Sequence, residues 1–118
     1  AARVDDRLVE PMDGRSLLRS WNRPWILTEF WPGTRLDVPA WASIRAPDRQ
    51  YVEYYDDTRV RPVFREYYDL ERDPRQRRNK LAGPVWSMRA SPAETTRMSL
   101  ELAVARSCRG TAPPRECP

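Results

Sequence analysis

The apolar residues of this chain recur in short runs separated by prolines, glycines and charge. Four of these runs read as strands: Ile26 to Trp31, Trp41 to Ala46, Tyr51 to Asp56 and Val63 to Leu70. Pro47-Asp48 supplies a type I turn between the second and third, with proline at the position whose φ it already satisfies. Connections this short favour an antiparallel meander. After residue 90 the period lengthens. Ser91-Pro92-Ala93-Glu94 offers an N-cap, a proline at the first helical position and the reciprocal Glu of a capping box. Met98, Leu102 and Ala105 then recur at i, i+4 and i+7, and Gly110 ends the helix. The expected fold is α+β, a four-stranded antiparallel sheet packed with one C-terminal helix.

Apolar residues take both phases of the strands. Phe64, Tyr68 and Leu70 oppose Val63 and Tyr67, while Val52 and Tyr54 oppose Tyr51 and Tyr55. Both faces therefore call for cover, which one helix cannot give. The expectation is that an aromatic face drawn from Trp31, Trp41, Tyr51, Tyr55 and Tyr67 stays open, with the opposite phase under Met98 and Leu102. For any single tyrosine, a half-exposed amphipathic ring is an equal alternative.

Leu, Val, Ile and Phe together make 21 of the 118 residues, and 12 are proline, so aliphatic core is scarce. Five Trp, five Tyr and a net charge of only +4 argue against a disordered chain and for a small aromatic-rich fold. Arginine supplies 20 of the 21 positive side chains, scattered among 17 carboxylates, and only Arg72 to Arg78 approaches a run. Such scatter describes a solvated surface, so no nucleic-acid partner is expected. Neither a membrane span of about 20 apolar residues nor the apolar core of a signal peptide is present, and the start at Ala1 reads as a mature segment or an excised fragment.

In the stretch Tyr67 to Asn79 a strand end meets a turn and a cap. Asp73 is suited to accept from the free N–H groups of a first helical turn, Pro74 to open it, and Gln76 to complete a capping box, which predicts a short helix there. Tyr68-Asp69-Leu70, followed by Asp73-Pro74, Asn79 and Leu81-Ala82, resembles the C-terminal region of the sulfatase family, which closes its last sheet in this way. Lys80 is an extra residue relative to that pattern, and Gln76 stands where Glu is common. Asp13 to Leu18 is similar to the family's Asp-Gly-x-Ser-Leu-Leu segment, at the exit from the catalytic core. The resemblance implies two parts: residues 1–24 as an irregular lead-in from a catalytic domain, and 25–118 as the C-terminal subdomain. It implies calcium and formylglycine for the parent enzyme, a sulfuric ester hydrolase, and a sulfatase catalytic domain as partner.

No catalytic residue carries over. There is no histidine, and neither Cys108 nor Cys117 begins the Cys- or Ser-x-Pro-x-Arg motif that becomes formylglycine, so the isolated chain is expected to be inactive. Adjacent carboxylates at Asp5-Asp6 and Asp56-Asp57 point to opposite sides of an extended segment and suit solvent better than a cation. Trp31, Trp41 and Arg45 could line one rim of a substrate cleft, guanidinium being matched to sulfate; the alternative is sheet packing with Arg45 stacked on a ring. Sulfatases of this type often end in a helix, Cys, Gly and Cys arrangement, and by that resemblance Cys108 and Cys117 would form a disulfide in a secreted or cell-envelope parent. Two free thiols in a cytoplasmic chain are the alternative. A free-standing module, binding single-stranded nucleic acid or anionic polysaccharide on an Arg and aromatic sheet face, is the competing reading of the whole chain.

Overall fold

The computed structural model describes residues 24–32, 38–56, 58, 61–84 and 90–108. Asp5-Asp6, Asp13 to Leu18, Asp57, Gly110 and Cys117 lie outside them. Four strands, β1 (Ile26–Phe30), β2 (Ala40–Arg45), β3 (Arg49–Tyr55) and β4 (Pro62–Asp69), precede one helix, α1 (Pro92–Ser107). The strands pair antiparallel in chain order, β1-β2-β3-β4, so the meander and the α+β layering are as the hydrophobic pattern predicts. The second hairpin turns at Pro47-Asp48, closed by the Ala46 N–H donating to the Arg49 carbonyl at 2.9 Å.

The helix begins where its cap residues place it. The Ser91 Oγ accepts from the Glu94 N–H at 3.1 Å and Pro92 takes the first helical turn, a cap worth about 1 kcal/mol. The Glu94 carboxylate is used elsewhere, accepting from the Tyr67 hydroxyl at 2.8 Å and so tying the helix start to β4. The helix stops at Ser107, with Cys108 extended at its C-cap, ahead of Gly110.

Helix α1 lies across β1 and β2. Met98, Leu102 and Ala105 pack on Ala40, Ala42, Ile44, Tyr51, Tyr55 and Tyr67 in one buried cluster. Small side chains on β2 leave room for the helix, and the tyrosines of the neighbouring strands fill the sides. The expected open face is split by the fold: Tyr51, Tyr55 and Tyr67 are buried on the helix side, where Trp31 also packs, and only Trp41 lies half-buried on the other side, where Val52 and Ser43 are buried too.

The second departure is after β4, where no helix forms. Pro74 and Arg75 make a turn closed by the Gln76 N–H donating to the Asp73 carbonyl at 3.0 Å. Gln76 then adopts a positive φ of 53°, which ends any helical path. The Asp73 carboxylate accepts from the Arg78 N–H at 2.7 Å, and the Gln76 amide donates to Gln50 at 2.9 Å, so neither completes a capping box. Asn79 follows. Its Oδ1 accepts from the N–H groups of Tyr67 and Leu81 at 3.0 and 2.9 Å, and its Nδ2 donates to the Arg65 carbonyl at 3.0 Å. One side chain thus occupies backbone groups along β4 that a fifth strand would otherwise pair. Lys80 fits beside it, its N–H on the Tyr67 carbonyl and its Nζ on Asp69 at 2.9 Å.

Candidate functional site

Strand alternation gives the sheet two chemically different faces. On the helix side, Tyr51, Glu53 and Tyr55 occupy every second position of β3. Glu53 is only 5% exposed. Its carboxylate accepts from the hydroxyls of Tyr51 and Tyr55 at 2.7 Å each and of Ser99 at 2.8 Å, with the Arg65 Nε at 3.4 Å. Burial would raise the Glu53 pKa, but the hydroxyl donors and Arg65 outweigh it and hold the group below its ordinary 4.5. The two tyrosines move the other way: burial, and then the adjoining carboxylate, push both phenols above their ordinary range. Tyr67, buried and hydrogen-bonded to Glu94, is pushed up to about 12.

Arg106 extends this cluster to the sheet edge. Its guanidinium lies 4.8 Å from the Trp31 ring centre and 4.9 Å from that of Tyr55, donates to the Tyr55 hydroxyl at 3.0 Å and pairs with Glu29 at 3.0 Å. Every oxygen of Glu53 is engaged by the chain itself. A saturated carboxylate with a lowered pKa is poorly suited to general acid or base work, and the cluster acts as a polar clamp between helix and sheet.

The far face is built of rings. Phe30, Trp41, Tyr54 and Phe64 are successive register partners, so one aromatic row crosses all four strands. Phe30 and Trp41 stack with centres 6.4 Å apart, and Tyr54 and Phe64 meet at 5.7 Å, a spacing in the attractive range for aromatic pairs. Phe64 is 52% exposed and the other three are half-buried. Beside them Tyr54 donates to Glu66 at 3.2 Å, and Arg45 donates to Gln50 at 2.8 Å.

The rim of Trp31, Trp41 and Arg45 does not assemble. Trp31 packs on Tyr55 on the helix side, whereas Trp41 and Arg45 share the opposite side of β2. Among the described residues it is the Arg106 guanidinium, near the end of α1, that lies over the Trp31 and Tyr55 rings, and Arg45 instead donates to Gln50. Asp56 accepts from the Thr58 N–H and hydroxyl at 3.1 and 2.6 Å, forming a turn. Among the described residues no three metal-ligating side chains come together, and no helix is long and apolar enough to cross a membrane. An open cleft of about 440 Å³ is lined by the start of β4, from Pro62 to Arg65, and by Pro92 and Thr96 of the helix.

No protein-family model matches the chain, and no curated protein does. It is similar to a crystal structure of a Bacteroides thetaiotaomicron VPI-5482 protein provisionally described as a sulfatase. The two are 21% identical with a TM-score of 0.48, over 85% of this chain and 21% of that one. The chain spans about a fifth of the length of that protein.

Proposed function

We propose that this chain is the C-terminal subdomain of a sulfatase, non-catalytic alone, which supports a catalytic domain and turns its aromatic far face toward it. The observation that carries this reading is the closure of β4. Three of the residues that carry the resemblance, Asp69, Asp73 and Asn79, act together there. Asp69 and Asp73 fix the turn, and Asn79 seals the strand edge. The row of Phe30, Trp41, Tyr54 and Phe64, three rings half-buried and one exposed, supports it further, since exposed apolar surface of this kind marks partner contacts. Calcium and formylglycine belong, on this reading, to the catalytic domain.

The decisive test is the coding sequence upstream of Ala1. An open frame encoding a Cys- or Ser-x-Pro-x-Arg motif is expected there. A start codon close upstream with no such motif overturns the proposal in favour of a free-standing binding module. The isolated chain should also release no phenol from a chromogenic aryl sulfate, with or without calcium. Turnover that survives repurification from a sulfatase-deficient host contradicts the subdomain assignment.

The tail supplies a second check. Cys108 caps α1, and a bridge to Cys117 would close a short loop after the helix, contributing about 2 to 3 kcal/mol on the chain-entropy account. Intact mass of oxidised material should sit two hydrogens below the reduced value and resist alkylation until reductant is added. Two thiols that alkylate freely in the native, unreduced protein rule out both the bridge and a secreted parent.

A further inference from the structure

Helix α1 carries a second stripe that the sheet does not use. Ala93, Arg97, Leu100 and Val104 recur at i, i+4, i+7 and i+11, on the side of the helix opposite Met98, Leu102 and Ala105. Leu100 is 63% exposed and Val104 37%, whereas the three inner residues are at 1% each. The outer stripe and Trp25 line an open groove of about 680 Å³. Its far wall is firm, because Trp25 is half-buried and packs on the core, and Glu101 at the groove edge is held by Arg49 at 3.2 Å.

The chain itself enters at this groove. Trp25 directly precedes β1, so the residues ahead of it lead away from the groove wall. Among them Leu17, Leu18 and Trp21 recur at i, i+1 and i+4, the spacing of one face of a helical turn, with Arg, Ser and Asn between and after them. Eight positions separate Leu17 from Trp25, which span about 12 Å as helix and about 26 Å extended, while the stripe from Ala93 to Val104 is about 16 Å long. The segment therefore reaches the whole stripe. A tether of a few residues also gives it an effective concentration in the millimolar range, so a few apolar contacts suffice to hold it.

We propose that residues 16–23 fold back over α1 and fill this groove, setting Leu17, Leu18 and Trp21 against Leu100 and Val104. A second copy of the chain fits the groove less well. Two exposed aliphatic side chains and one half-buried ring supply only a fraction of the roughly 800 Å² per partner that a stable association buries. The proposal does not depend on the sulfatase reading, since the groove, the tether and the apolar triplet all belong to these 118 residues.

The test is nuclear magnetic resonance on the unmodified 118-residue chain, isotope-labelled and checked for monomer by light scattering. Nuclear Overhauser contacts are expected from the Leu17 and Leu18 methyls and the Trp21 ring to the Leu100 and Val104 methyls. Leu100→Asp should abolish them and lower the urea midpoint by roughly 1 M, as loss of a covered leucine does. Leu17→Asp/Leu18→Asp should lower it by a similar amount, and the three substitutions together by little more than either set alone. Ile26→Ser, at an exposed position of β1, should leave the contacts in place. Should Leu100→Asp fail to fold, the contacts in the unmodified chain decide. Random-coil shifts from Leu17 to Trp21 with no contact to Leu100 overturn the proposal, as does a midpoint that Leu100→Asp leaves unchanged or losses that simply add. Contacts seen only between labelled and unlabelled chains in a mixed sample overturn it in favour of a second copy. Loss of the sulfatase reading through the upstream sequence leaves each of these outcomes as it is.

Discussion

Glu53→Ala should lower the unfolding free energy by about 3 kcal/mol, because the hydroxyls of Tyr51, Tyr55 and Ser99 lose a shared acceptor at about 1 kcal/mol each. Arg65 is 43% exposed and regains water, so the loss stays below that for a fully buried charge. Against a total stability of about 5 to 15 kcal/mol this is large. Urea unfolding followed by circular dichroism measures it, and a midpoint equal to that of the parent chain shows that the cluster does not stabilise. The pH dependence follows from the same contacts. The folded-state pKa of Glu53 lies below its ordinary 4.5, so its contribution is complete above that pH and fades as pH falls through the folded value. Tyr51, Tyr55 and Tyr67 are raised above their ordinary 10.0, so their contribution is complete below pH 10 and fades as the pH climbs toward the folded values. Glu53→Gln should blunt the acid limb and soften the alkaline limb, because the carboxylate adds to the shifts of Tyr51 and Tyr55, while burial and the Tyr67–Glu94 contact keep the rest of it.

Asn79→Ala should be comparably damaging at a more exposed site. It leaves the Tyr67 and Leu81 N–H groups and the Arg65 carbonyl without partners, about 2 to 3 kcal/mol in all. That lowers the melting temperature by roughly 10 °C. Asn79→Asp keeps both acceptor contacts and loses only the donation to Arg65, so it should fall between the two. Amide exchange at Tyr67 should quicken in the alanine variant while amides in the middle of β3 stay protected. A variant with unchanged exchange at Tyr67 shows that the strand edge is sealed by other groups.

Elements with strong local chemistry were legible in the sequence. The Ser91 cap, the Met98, Leu102 and Ala105 spacing and the Pro47-Asp48 turn each specify their own geometry, and the four strands fall within a residue or two of their expected ends. The covered face was not. Hydrophobicity alone ranks Val52 and Phe64 above Tyr51 and Tyr55, yet the alternation Tyr51-x-Glu53-x-Tyr55 already puts two hydroxyls beside one carboxylate on one face of a strand. That pairing lets three polar groups be buried together, and it was the available signal. The short helix at Pro74 failed for a different reason. A cap, a proline and a Gln three residues on serve a tight turn as well as a helix, and the contact of Gln76 with Gln50 on another strand decides between them. The rim of Trp31, Trp41 and Arg45 failed on parity alone, since Trp41 faces away from the Tyr55 ring that holds Trp31.

The ion pair between Glu29 and Arg106 joins residues 77 positions apart. Each hairpin of the meander can form as soon as its second strand exists, but the tyrosine side of the sheet has nothing to cover it until α1 has been made. On a ribosome adding residues from the N-terminus, Tyr51, Tyr55 and Tyr67 therefore wait in water while about forty further residues are synthesised, and Ser99 and Arg106 arrive last at groups already in place. A nascent chain halted before Leu102 carries a complete sheet with an unshielded aromatic surface on both sides, which makes late truncation, more than any early fold defect, the step at which this protein is most exposed to aggregation.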